Sequence, residues 1–199
     1  MKKRLRHHAR RVRLVIYAET LFDAREHLFT FLGAFTGLAA IGLLSRYLFG
    51  PQDTLLLVGS FGASAVLIYG AINSPLAQPR NLLGGHVLSA LIGVTIYKLI
   101  GQELWLAAAL AVSLSIVAMQ ITKTLHPPGG ATALIANVGS AQLKALGYGY
   151  VLMPVLAGVC ILLLVALVFN NISPTRQYPL NRHWYKIWRR YARQNPPGV

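Results

Sequence analysis

The residues of this chain best suited to chemistry are His126, Pro127, Pro128, Gly129 and Gly130, with Thr132 close behind. Prolines cannot continue a preceding helix but suit the first turn of a new one. The glycines permit unusual backbone angles or the close approach of a guest. A helix beginning there would present unpaired backbone N–H groups, a ready anion site. A second candidate lies upstream, where Ser60, Gly62 and Ser64 interrupt an apolar run and read as another helix start inside a membrane. Ser60, Ser64 and Thr132 add hydroxyl donors. Arg80 and Asn81 close a turn that contains Pro75 and Pro79. Arg80 and Lys123 can draw an anion to the mouth of a path or act as simple positive anchors. His86 and His126 can also carry protons. The plainer alternatives are a core histidine bonded to a carbonyl for His86, helix packing for the glycines and a turn for the prolines.

The remaining ionisable residues narrow the chemistry. Glu19, Asp23, Glu26, Asp53 and Glu103 all fall outside the apolar runs. Cation pathways and proton relays usually place carboxylates within the membrane, whereas helix N-termini, hydroxyls and basic groups favour anions. No His, Cys or acid cluster has metal-ligand spacing, so neither metal nor cofactor is expected. A nucleophile and base would have to be drawn from His126 with Ser64 or Thr132, and the chain does not read as an enzyme. Cys160, alone in an apolar run, reads as a packing residue.

These residues need elements to hold them, and the composition says which kind. The 199 residues are 55% hydrophobic and 12% charged, where a soluble domain is about a quarter charged. Mean hydropathy is +0.52. Five apolar runs, at 28–48, 54–72, 82–100, 104–122 and 148–170, approach the roughly 20 residues a spanning helix needs. The stretch 126–147 differs in character: it opens with His-Pro-Pro-Gly-Gly, is rich in small residues and is not a span by hydropathy alone.

The net charge is +14, and most of it is at the ends. Eight of the 19 basic residues precede residue 28 and six follow residue 170. Basic ends beside membrane helices face the cytoplasm and anionic lipid headgroups, not nucleic acid. Two cytoplasmic ends require an even number of crossings. The expected fold is therefore an all-α polytopic transmembrane bundle of six segments, with 129–147 as the extra crossing and four or five spans as the fallback.

The run Gly62–Ile68 resembles Gly130–Ala136 at an offset of 68 residues. It divides the chain into three segments plus three, an inverted repeat with discontinuous helices. Residues 1–27 read as a basic cytoplasmic or interfacial segment, 28–170 as the membrane domain and 171–199 as a basic, aromatic cytoplasmic tail. No cleavable signal peptide is expected, and a bacterial plasma membrane is the default location. Small-residue stripes at Gly33/Gly37 and Gly85/Ser89/Gly93 suit close helix packing within the fold or in a homo-oligomer.

His126-Pro-Pro-Gly-Gly-Ala-Thr-Ala-Leu, with Ser60-Phe-Gly-Ala-Ser64 and Pro75-Leu-Ala-Gln-Pro-Arg-Asn81 upstream, resembles the hallmark segments of the HPP family of integral membrane proteins. The likeness covers roughly 28–170. It implies a small multispanning helical protein, usually described with about four spans. It also implies a small-anion transporter, since chloroplast and cyanobacterial members are associated with nitrite.

Overall fold

The computed structural model describes residues 24–181, and every regular element among them is helical. Helix α1 is Ala24–Leu48. Helix α2 is Pro51–Ala65, continued by a π-helical turn Val66–Gly70. Then come α3, Pro79–Ile100; α4, Leu104–Ile121; α5, Pro127–Val138; α6, Ala141–Ala145; and α7, Ala157–Phe169, entered through Val151–Leu156. Prolines at the first turns of α2, α3 and α5 set these starts, because a missing N–H costs nothing there.

Five helices are long and apolar enough to cross a membrane: 24–48, 51–70, 79–100, 104–121 and 151–169. The expected sixth crossing differs in kind. Helix α5 has 12 residues, about 18 Å at 1.5 Å per residue, against roughly 30 Å of hydrocarbon. It packs inside the bundle against α2, α3 and α4. Its start lies beside Leu76, whose carbonyl accepts from His126 Nδ1 at 2.9 Å. The turn after it lies beside the α1–α2 junction, where the Ser140 N–H donates to Asp53 at 2.9 Å and Gln142 to the Leu48 carbonyl at 3.2 Å. The stretch 126–147 therefore runs from one end of the bundle to the other, opposite in direction to α2.

The described ends of the chain meet. Arg176 pairs with the Glu26 carboxylate and donates to the Glu26 carbonyl and to Thr30 Oγ1, each at 2.7 Å. Ser173 adds a bond to Glu26 at 2.6 Å, and the Tyr178 hydroxyl donates to the Ala77 carbonyl at 2.7 Å. Two expected boundaries therefore move. Residues 24–27 form the first turn of α1, continuous with the membrane helix, and the start of the expected tail, 171–181, folds back onto the bundle end. The expected interfacial residues before 24 and the aromatic basic stretch 184–191 lie outside the described residues.

Three other expectations are corrected. Ser60–Ser64 is not a helix start, because α2 passes through it unbroken from Pro51. The apolar run 148–170 is not one continuous helix either. Met153, with φ −134° and ψ 116°, breaks it before Pro154, since a residue preceding proline is pushed from α toward extended angles. Asp53, expected in a loop, is buried in the first turn of α2 and accepts from the Ser140 N–H and hydroxyl.

Polarity runs inside out. Phe31, Phe35, Leu55, Trp105, Ile121 and Leu164 face outward, while Ser60, Ser64, His86, Ser89, Thr132 and Asn137 are buried. Lipid gives apolar side chains no reason to hide, so close packing and internal hydrogen bonds must join the helices. The small-residue stripes do this within the fold. Tyr69 lies over Gly33 and Gly37 and donates to the Leu162 carbonyl at 3.0 Å. On α3, a Cβ added at Gly93 would stand 2.7 Å from the Ala133 carbonyl oxygen of α5.

Gly93→Ala should therefore push α3 from α5 and cost about 1–3 kcal/mol. Gly62→Ala, where an added Cβ meets nothing within 4 Å, should be neutral or stabilise through helix propensity by up to about 1 kcal/mol. Thermal unfolding in one detergent checks the pair, and equal melting temperatures would contradict this packing.

Candidate functional site

The site begins with a backbone constraint. Pro127 holds His126 extended, at φ −142° and ψ 102°, at the N-cap of α5. Its imidazole is wholly enclosed. Gly85 lets the ring lie close, since a Cβ there would stand 2.6 Å from His126 Cβ. Gly129 is needed for the same reason: a Cβ there would stand 2.9 Å from both the Gly85 carbonyl oxygen and Ser89 Oγ.

From His126 a line of buried polar groups runs through α2, α3 and α5. His126 Nε2 lies 3.0 Å from Ser64 Oγ, and Ser64 Oγ lies 2.8 Å from His86 Nε2. His86 Nδ1 lies 2.7 Å from Thr132 Oγ1, which lies 3.0 Å from Ser60 Oγ. Ser60 also reaches the Pro128 carbonyl at 3.2 Å. The Tyr150 hydroxyl donates to the Thr132 carbonyl at 3.0 Å and closes the far end.

Bond directions follow from the one fixed partner. Leu76 offers a carbonyl, which only accepts, so His126 Nδ1 carries the proton. With both rings neutral, His126 Nε2 then accepts from Ser64. Ser64 in turn accepts from His86 Nε2–H, and His86 Nδ1 accepts from Thr132. The shorter bonds are taken over the alternatives from Ser64 to the Ser60 carbonyl at 3.4 Å and from Thr132 to the Pro128 carbonyl at 3.5 Å. Every donor then points along the line toward Leu76, and the two imidazoles are opposite tautomers.

The structure gathers some of the expected site residues and not others. Ser60, Ser64, His86, His126 and Thr132 converge. Pro128, Gly129 and Gly130 are buried beside them, while Pro127 is exposed. Gly62 stands in open space and does not contribute. Arg80 donates to the Thr122 carbonyl at 2.6 Å, capping the C-terminus of α4. Asn81 holds the Leu125 carbonyl at 2.8 Å. Both position the loop that delivers His126 and do not themselves line the polar centre. The expected unpaired amides at α5 are not there: positions 127 and 128 carry no N–H, and the Gly129 N–H donates to the His126 carbonyl at 2.8 Å.

Sequence reasoning missed Tyr150, Leu76 and Phe61, whose ring centroid is 5.5 Å from that of His86. Tyr150 falls in the apolar run 148–170 with nothing to mark it out, and Leu76 takes part only through its backbone. Among the described residues no three His, Cys, Asp or Glu side chains converge as metal ligands would.

Residues 19–179 match the family described as HPP, transmembrane region. Two transmembrane proteins of Dictyostelium discoideum are each 46% identical to this chain. One is matched over 166 residues, 82% of this chain and 57% of that protein, and the other over 161 residues, 79% and 51%. The chain thus spans only about half the length of the curated relatives it matches. No solved structure matches.

Nitrogen NMR of histidine-labelled protein, assigned with His86→Gln and His126→Gln, should show His126 protonated at Nδ1 and His86 at Nε2. Finding the same tautomer in both rings would overturn the bond order above.

Proposed function

The chain belongs to the HPP transmembrane family, and from that premise we propose that it carries a small anion, nitrite first among them, across a membrane together with a proton. One observation carries the proposal: the buried line from Tyr150 through Thr132, His86 and Ser64 to His126 lies inside a bundle whose outer surface is apolar. Ionisable groups are costly at membrane depth and are retained there for ion or proton movement. The family resemblance supplies nitrite.

In this reading the helix N-termini are not the anion site. The two imidazoles and the three hydroxyls take that role. A proton added to the pair makes one ring cationic and forces Ser64 to turn, freeing donors for a negative guest. Charge within low-dielectric protein needs a partner, and anion and proton moving together supply one to each other. Arg80 and Asn81 act by holding the 122–126 loop. We place both basic ends on the cytoplasmic side, with α5 and α6 completing a sixth, inverted crossing. No catalytic role is assigned, because Ser64 is held between two rings and not presented to a cleft.

A second reading is a non-transporting membrane scaffold. The capped start of α5 and the backbone contact of Gly129 with Gly85 favour it, because there the His-Pro-Pro-Gly-Gly segment is a packing device.

Proteoliposomes assayed above neutral pH, where free nitrous acid is scarce, separate the two. The transport reading expects nitrite uptake faster than in empty vesicles and accelerated by an inward proton gradient. His126→Ala and Ser64→Ala should each reduce it about tenfold or more. Equal rates with and without protein, across nitrite, nitrate, formate, chloride and bicarbonate, would leave the scaffold.

A further inference from the structure

The end of the bundle opposite Glu26 and Arg176 is hollowed. A cavity of about 60 Å³ lies where α3, α5 and α6 meet. Its lining includes Tyr97, Lys98, Ala136, Lys144, Gly147 and Tyr150. A water occupies about 30 Å³ of liquid, so a small polyatomic anion is within the size the space accepts. Both lysines stand in the last turn of their helices, α3 and α6, where helix dipoles favour cations. That alone is commonplace. Here, however, two ammonium-bearing side chains wall one small hollow, and among the described residues neither has a carboxylate partner.

The surroundings concentrate this charge. Lys144 Nζ lies 5.0 Å from the centre of the Tyr97 ring, and Lys98 Nζ lies 5.6 Å from that of Tyr148. Each aromatic face steadies the ammonium group itself, and an ammonium with three donors keeps N–H groups for a guest. Gly147, at φ +52°, turns the chain after α6 and keeps clear of Lys98 Nζ, which an added Cβ would meet at 3.6 Å. Asp53, the acid buried at this end, is already engaged by the Ser140 N–H and hydroxyl. Lys98 also borders an open depression along the α3–α4 turn, where Glu103 lies.

The cavity connects to the polar line. Tyr150 forms part of its wall and donates to the Thr132 carbonyl. Ala136 is one helical turn from Thr132, about 6 Å along α5. The geometry points to a cationic vestibule that binds a small monovalent oxyanion between Lys98 and Lys144, with Tyr150 as the partition between it and the histidines. This site rests on the transport reading for its purpose, though not for its chemistry.

Calorimetric titration of sodium nitrite into the full chain in detergent tests it apart from flux. Wild type should bind, and Lys98→Gln with Lys144→Gln together should weaken binding about tenfold or more without lowering the melting temperature. Lys98→Arg with Lys144→Arg should keep most of the affinity, since either cation donates to an oxyanion. His126→Ala should lose flux yet keep the part of the binding that Lys98→Gln with Lys144→Gln removes. Binding without flux in any vesicle would sink transport and keep the vestibule. Undiminished binding in the double variant, or none in wild type, overturns the vestibule.

Discussion

Ser64 holds one hydroxyl between two imidazoles, and the centre of the bundle is organised around it. A serine has one proton to give and lone pairs to receive with. Set 2.8 Å from one ring and 3.0 Å from the other, it forces one ring to donate and the other to accept. The Leu76 carbonyl decides which ring does which. The order then passes through Thr132 to Ser60, so five side chains on three helices share one proton arrangement. Surrounded by lipid-facing helices, these groups have no bulk water to fall back on, and each must find its partner within the protein.

Close backbone packing makes that order possible. Side chains as short as serine and threonine reach across helices only when the axes are near, and Gly85, Gly93 and Gly129 bring α3 and α5 together. Met119 shows how tight the adjoining layer is, with its sulfur accepting from Ser89 Oγ at 3.7 Å. Packing and polarity are thus a single requirement here, because a methyl group added at Gly129 would displace the carbonyl of Gly85 and the hydroxyl of Ser89 together.

Much of this was legible in the sequence, for local reasons. Proline reports directly on its own φ and on the residue before it, so the start of α5 and the extended His126 were readable from His-Pro-Pro. The five apolar runs became the five long helices because hydropathy measures what lipid selects. Hydropathy is blind to backbone breaks, which is why 148–170 looked continuous although Pro154 was in view. Ser60–Ser64 was misread because small residues serve a helix crossing as well as a helix end. Arg80 was taken for a binding group since charge is visible in sequence while the carbonyl of Thr122, 42 positions away, is not. The convergence of His86 with His126 joins residues 40 apart through a third, and no local pattern announces it.

The clasp of Arg176 on Glu26 bears on how this domain can be built into larger chains. The start of the first described helix and the segment after the last lie side by side, tied by Ser173 and Thr175 to the Glu26 carboxylate and by Arg176 to Thr30. A module fused ahead of α1 and one fused behind α7 would therefore be delivered to the same face, next to the loop that carries His126. In relatives about twice this length, an appended domain at either terminus would start as a neighbour of that loop.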